Sequence, residues 1–195
     1  MARDPKIEKP VSARWARFCG WWLRKKGWKS LTGPIPEKKA VAIGAPHTSA
    51  RDFLICYLFY TQYGKRLHLL IKKEFFFWPL GPILRACGAV PVDRSSPGAV
   101  VKSVIRILEE RDEFIFAISP EGSRKAVKKW KTGYHFIARE AGVPVWLTYF
   151  DWKKKILAVG ERFELTDDAR ADTDRMQAYY ASLNLTARHP DQFTP

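Results

Sequence analysis

Lys39-Ala40-Val41-Ala42-Ile43-Gly44-Ala45-Pro46-His47-Thr48-Ser49-Ala50-Arg51-Asp52 is the stretch that decides the fold. The apolar run up to Ala45 reads as a buried strand. A turn carrying a histidine, two hydroxyls and an acid follows it. Phe53-Leu54-Ile55-Cys56-Tyr57-Leu58-Phe59-Tyr60 then reads as the body of a helix over residues 52–63, apolar nearly all round and therefore buried. Histidine is the side chain best suited to moving protons near neutral pH. A carboxylate beside it can fix its tautomer and stabilise the imidazolium. The spacing of five residues between His47 and Asp52 is about 140° past a full turn on an ideal helix, so the two do not share a helical face. With His47 in the turn and Asp52 in the first helical turn, the imidazole can fold back onto the carboxylate. On spacing alone, Asp52 serves equally as a cap favoured by the helix dipole, with His47 a plain loop residue.

Working outward, strands are expected over residues 67–72, 89–92, 114–118, 145–150 and 156–159. Helices are expected over 83–87, 97–111, 133–141 and 173–185. Ser95-Ser96-Pro97 opens the second of these helices with a capping hydroxyl and a proline in the first turn. Such alternation predicts an α/β domain with a mixed, largely parallel sheet flanked by helices. In sheets of this kind ligands gather at the carboxyl ends of the strands. Strand 114–118 ends in a second polar turn, Glu121-Gly122-Ser123-Arg124. Gly122 lets the backbone approach a ligand closely, and Arg124 can grip a phosphate bidentately. Lys125, Lys128, Lys129 and Lys131 extend the positive charge. Taken by itself, this segment is also what a solvated basic face looks like. Two polar turns after two strands argue for one shared site.

The chain has 195 residues, 46% hydrophobic and 28% charged, which suits one globular domain with a proper core. Its net charge of +14 calls for an anionic partner, nucleic acid or phospholipid. The charge is concentrated: residues 1–39 hold eleven Lys/Arg against three Asp/Glu, whereas residues 161–195 hold four Arg against seven acids. Within 11–29, Val11, Trp15, Phe18, Cys19, Trp22 and Leu23 fall on one helical face. Arg14, Arg17, Arg24, Lys25 and Trp21 fall on the other. This is the pattern of an interfacial helix, and equally of an amphipathic helix packed on its own domain. We therefore expect a basic, Trp-rich membrane-associating segment over 1–36 and a single α/β domain over 37–195. Eight Trp and twelve Phe are more than packing alone requires. Phe75, Phe76, Phe77 and Trp78 form a Pro-punctuated tract that reads either as a half-exposed apolar loop or as a core-filling connector. The longest uncharged run, Phe53 to Gly64, is shorter than the roughly 17–25 residues a bilayer span needs. No secretory signal is visible. Three cysteines without C-x-x-C spacing fit a reducing compartment and argue against a zinc ribbon.

No G-x-S-x-G elbow, phosphate-binding P-loop or H-E-x-x-H element is present. His68 sits in an apolar strand and is expected in the core, while His135 and His189 have no partner at motif spacing. A nucleic-acid module would interleave aromatics with base-facing polar groups, so the Trp-rich helix favours lipid.

At this point the residues resemble the lysophospholipid, or 1-acylglycerol-3-phosphate, acyltransferase family. His47, Ser49 and Asp52 are similar to its His-x4-Asp motif, with Pro46 where bacterial members often have Asn. Lys72-Lys73-Glu74 and Gly88-Ala89-Val90-Pro91-Val92-Asp93-Arg94-Ser95 resemble the next elements. Pro120-Glu121-Gly122-Ser123-Arg124 resembles Pro-Glu-Gly-Thr-Arg, and Val143-Pro144-Val145 the last motif. Four motifs in order span roughly residues 40–150. The resemblance implies an O-acyltransferase with His47 as general base and Asp52 as its orienter. Acyl-CoA or acyl-carrier protein would be the co-substrate, with no metal and no covalent enzyme intermediate. It places Glu121, Gly122, Ser123 and Arg124, with Arg94, at the phosphate end of a lysophospholipid, by expectation 1-acylglycerol-3-phosphate. Phe75, Phe76, Phe77 and Trp78 would border the acyl chain, and Trp15, Phe18 and Trp22 would meet an anionic membrane. A peripheral place on the cytoplasmic face of the inner membrane follows, with no transmembrane helix and no nucleic acid. The competing readings are an inactive lipid-binding protein of the same fold and an acyltransferase for another lysolipid.

Overall fold

The computed structural model describes residues 10–92 and 97–194. Along the chain the elements are α1 (Ala13–Lys25), β1 (Lys29–Ser30), β2 (Lys39–Ala45), α2 (Ala50–Gln62), β3 (His68–Lys72), α3 (Leu80–Ala86) and β4 (Ala89–Val92). After these come α4 (Pro97–Glu110), β5 (Phe114–Ile118), α5 (Gly133–Glu140), β6 (Val145–Asp151), β7 (Ile156–Phe163) and α6 (Ala169–Ser182). Arg94 and the expected Ser95-Ser96 cap lie outside the described residues.

Seven strands form one sheet in the order β1-β7-β6-β2-β5-β3-β4. Every pair is parallel except the hairpin β6–β7. The mixed, largely parallel sheet read from the sequence is therefore present. β2 lies between β5 and β6, and its side chains are buried on both faces. Val41, Ile43 and Ala45 join a core with Val104 and Leu108 of α4, Tyr134 and Ile137 of α5, and Met176 and Tyr180 of α6. Ala40 and Ala42 face the opposite core, with Cys19 and Leu23 of α1 and Ile55, Leu58 and Phe59 of α2. Period-two alternation thus feeds two helical layers from one apolar run.

Boundaries differ where tertiary contacts override local pattern. β7 runs to Phe163, four residues past the expected end, because Phe163 still pairs with Val145 across the hairpin. β1 was not expected; two exposed residues become a strand only because Lys29 and Ser30 pair with Ile156 and Leu157. α6 begins at Ala169, not Thr173, since the Asp168 side chain accepts from the backbone N–H groups of Arg170 and Ala171. His68 is in the core as expected, stacked on Phe114 with ring centroids 4.3 Å apart. His135 does have a partner, far off in sequence: its Nε2 lies 3.2 Å from Asp172 Oδ2, both groups buried, tying α5 to α6.

The faces of α1 are distributed differently from the helical-wheel reading. Cys19, Gly20 and Leu23 form the buried edge. Gly20 faces Gln62 of α2, where a Cβ would lie 3.5 Å from the Gln62 Cβ. Trp15, Phe18 and Trp21 form an exposed aromatic row, 43%, 44% and 47% accessible; Phe18 stacks on Trp15 and meets Trp21 at a tilt. α2 is likewise not buried all round, since Leu54 is exposed. α1 thus carries a packed edge and an outward aromatic row together. Truncating Leu23, which is 2% exposed, removes core volume shared with α2. Leu23→Ala is expected to lower the unfolding free energy by about 2–4 kcal/mol in urea denaturation. A change below about 0.5 kcal/mol would mean that α1 lies outside the cooperative unit.

Candidate active site

Three neighbouring parallel strands end on the same side of the sheet, and each delivers a piece of the site. β2 leads into His47, β5 into Glu121 and β6 into Trp152. The registers Ile43 with Ile118 and Ala45 with Tyr149 bring these ends level. This is where ligands gather in open α/β sheets.

The turn after β2 is built around Asp52. Its Oδ2 accepts the backbone N–H of Thr48 at 2.8 Å and of Ser49 at 2.7 Å. Ser49 is the N-cap of α2, and its Oγ accepts from the N–H of Arg51 at 3.2 Å. Asp52 is 2% exposed, so these donors replace the water it has lost. The same Oδ2 lies 3.4 Å from His47 Nδ1. The fold-back anticipated from the spacing is present, and Asp52 is cap and histidine partner at once. With Nδ1 turned toward the carboxylate, the other ring nitrogen, Nε2, is left for an incoming group. The His47 side chain is 35% exposed, open enough to meet one.

Glu121 arrives from the neighbouring strand and is 2% exposed. Its Oε1 accepts the backbone N–H of His47 at 2.8 Å and lies 3.4 Å from Ser119 Oγ. Burial pushes its carboxyl up to about 7 from an ordinary 4.5; the hydrogen bond from His47 opposes the shift and the nearby Asp52 adds to it. The sequence reading put Glu121 on the acceptor's phosphate. In the structure its carboxylate is turned inward, toward the backbone N–H of His47.

Gly122 has φ +63, a conformation costly for other residues, and a Cβ there would lie 2.7 Å from the Lys131 side chain. Ser123 Oγ accepts from the N–H of Lys125 at 3.0 Å, closing the turn. Arg124 is exposed, with no ion-pair partner among the described residues. The structure thus brings His47, Asp52 and Glu121 into one cluster and sends Gly122 to Arg124 outward from it. Phe75, Phe77 and Trp78 are exposed, Trp78 at 84%, while Phe76 is half-buried under the Arg85 guanidinium. Trp22 is half-buried. No three His, Cys, Asp or Glu side chains among the described residues group as a metal site.

Two contributors were missed in the sequence. Trp152 donates its indole N–H to Asp52 Oδ1 at 2.9 Å across a separation of 100 residues. A lone Trp in the Lys-rich turn between β6 and β7 was the available signal. The backbone N–H of His189 donates to Thr48 Oγ1 at 3.2 Å, and a main-chain contact leaves no trace in residue type.

The acyltransferase family model matches residues 30–147. No curated protein matches the sequence. Among solved structures, the 1-acyl-sn-glycerophosphate acyltransferase PlsC from Thermotoga maritima is similar at 15% identity, with a TM-score of 0.59. The similarity covers 87% of this chain and 77% of that one, and carries the α/β architecture.

The Glu121 carboxyl gives a stability signature. Its folded pKa of about 7 lies above the ordinary 4.5, so between these values the native chain keeps a proton that the unfolded chain releases. Stability therefore falls as pH rises through that window and levels off above it. Glu121→Gln keeps an acceptor for His47 but cannot ionise. Its stability relative to the unsubstituted protein is expected to rise across the window by up to roughly 3 kcal/mol. Thermal unfolding at a series of pH values measures this; parallel curves for the two proteins would show that the carboxyl does not titrate there.

Proposed function

The chain belongs to the acyltransferase family, and on that premise we propose that it moves a fatty acyl group from an acyl thioester to the free hydroxyl of a lysophospholipid. The observation that carries the reading is the His47–Asp52 contact at 3.4 Å, with Asp52 held by backbone and indole donors and Nε2 left to act. Nε2 takes the hydroxyl proton as the acceptor oxygen attacks the thioester carbonyl. The tetrahedral intermediate collapses, the carbon–sulfur bond breaks, and the imidazolium returns its proton to the departing thiolate. Asp52 stabilises the imidazolium and keeps the proton of the neutral ring on Nδ1. Glu121 acts through the backbone, holding His47 in place.

The acceptor we favour is 1-acylglycerol-3-phosphate. The similar Thermotoga protein acts on an acceptor of that name, and the exposed Arg124 with Lys125, Lys128 and Lys129 suits a phosphate. Arg94, from the sequence reading, is a second candidate for it. Acyl-CoA and acyl-carrier protein both offer the required thioester. No helix among the described residues is long and apolar enough to cross a membrane. The exposed Trp15–Phe18–Trp21 row, flanked by Arg14, Arg17, Arg24 and Lys25, supports attachment at an anionic bilayer surface. The proposed location is the cytoplasmic face of the inner membrane, where acceptor and donor meet. Phe75, Phe77 and Trp78 offer further apolar surface for an acyl chain.

His47→Ala is expected to lower kcat at least about 100-fold while the protein stays folded. The measurement is acyl transfer from acyl-CoA and acyl-carrier protein to 1-acylglycerol-3-phosphate and a panel of other lysolipids. Retention of most turnover would remove His47 from the role of base. A double variant, Phe18→Ser with Trp21→Ser, leaves the packed edge of α1 untouched. It is expected to weaken binding to phosphatidylglycerol vesicles by about tenfold or more. Equal affinity of both proteins in vesicle sedimentation would take this row out of the membrane contact.

A further inference from the structure

We propose that Trp152 is a positioning residue for the acyl-transfer reaction, its indole N–H fixing the plane of the Asp52 carboxylate and, through it, the tautomer of His47. The inference rests on the reading of His47 and Asp52 given above. A carboxylate turns easily about its last torsion, which has broad minima. Thr48 and Ser49 hold only one oxygen of Asp52, so the group could still pivot about Oδ2. The Trp152 bond to Oδ1 removes that freedom. The plane of the carboxylate is then fixed, and with it the direction of the lone pair that Oδ2 presents to His47 Nδ1.

Trp152 is itself held from several sides. Its ring meets buried Trp28 edge-on, with centroids 5.1 Å apart at 81°. Its backbone N–H donates to Thr186 O at 2.9 Å. The Arg188 guanidinium lies 4.7 Å from the ring centroid, where a cation over an indole is favourable. The next residue, His189, reaches Thr48 Oγ1 through its backbone. Two consecutive residues after α6 therefore brace both sides of the turn. A packing aromatic would need no N–H here. The indole nitrogens of Trp130 and Trp146 are buried without a partner among the described residues, so pairing is not automatic for tryptophan in this fold. Trp152 alone of these gives its N–H to a buried carboxylate beside the reacting histidine.

Two replacements separate donor from ring. Trp152→Phe keeps an aromatic against Trp28, and benzothienylalanine at position 152 keeps the bicyclic shape while deleting the N–H. Both are compared with His47→Ala, using 1-acylglycerol-3-phosphate with acyl-CoA and acyl-carrier protein as probes. Both are expected to lower kcat by about 10–100-fold, the scale of a lost hydrogen bond to a charged group, with both KM values within about twofold of the parent. Nitrogen-15 NMR of neutral His47, which needs no substrate, is expected to show a gain in the Nε2–H tautomer. Parent-like kcat and tautomer in the folded benzothienylalanine protein would overturn the proposal, whatever Trp152→Phe does to folding. A rise in both KM values with kcat intact would overturn it too, placing Trp152 in binding. An active His47→Ala variant would instead remove the reading of the site, while the tautomer measurement would still decide whether Trp152 orients Asp52.

Discussion

The site depends on how one buried carboxylate is satisfied. Asp52 lies at the start of a helix, where free backbone N–H groups need acceptors, and at the end of a strand, where a histidine needs a partner. Two N–H donors of the turn and one indole saturate its oxygens and leave it facing His47. Cap and histidine partner are competing readings of the sequence, but in the structure a single geometry fulfils both. The capping requirement itself puts Oδ2 where the imidazole can use it. An Asn in its place could keep a cap-like acceptor, yet would carry no charge to stabilise an imidazolium.

A second carboxylate, equally buried, lies beside the same turn with fewer donors. Asp52 accepts from three N–H groups, whereas Glu121 accepts from one and a long Ser119 contact, and burial raises its carboxyl to about 7. Placing two full negative charges here without such a difference would be costly, and Asp52 is itself among the causes that raise Glu121. The division follows from topology. Glu121 comes from β5, one strand over, and reaches the backbone of His47, while Asp52 is local to α2 and reaches its side chain. One acid fixes where the histidine sits, and the other fixes how its ring is turned. In a chain of net charge +14, the exposed Arg124, Lys125, Lys128 and Lys129 then stand beside the turn with no ion-pair partner among the described residues.

Much of this was legible in the sequence where local pattern and tertiary environment agree. The run Ala40–Ala45 is apolar because β2 is buried on both faces, so its identity as a central strand could be read directly. β4 matches its expected range. α4 falls within one residue of its own, because its apolar stripe, with Val104 and Leu108, is the face that packs on the sheet. Legibility failed where a partner far along the chain decides the outcome. β1 exists because of β7, and His135 finds Asp172 only once α5 and α6 are packed. The faces of α1 were misassigned for a related reason. A helical wheel ranks residues by polarity, but close packing on α2 selects the small Gly20 and Cys19 and turns three large aromatics outward. Trp152 belongs to this class as well, since nothing near it in sequence announces an acid 100 residues away.

The residues that carry the proposed chemistry and those that hold them in place come from different parts of the chain. His47, Asp52 and Glu121 all fall within residues 30–147, the segment matched by the family model. Trp152, Arg188 and His189 lie beyond it, in the β6–β7 turn and the segment after α6. The antiparallel β6–β7 hairpin is what makes the second group possible. It ends β6 level with β2 and so places Trp152 beside Asp52, while the segment after α6 brings Arg188 onto the indole. The proposed reacting cluster can therefore be recognised from local motifs, whereas its orientation is a property of the complete sheet.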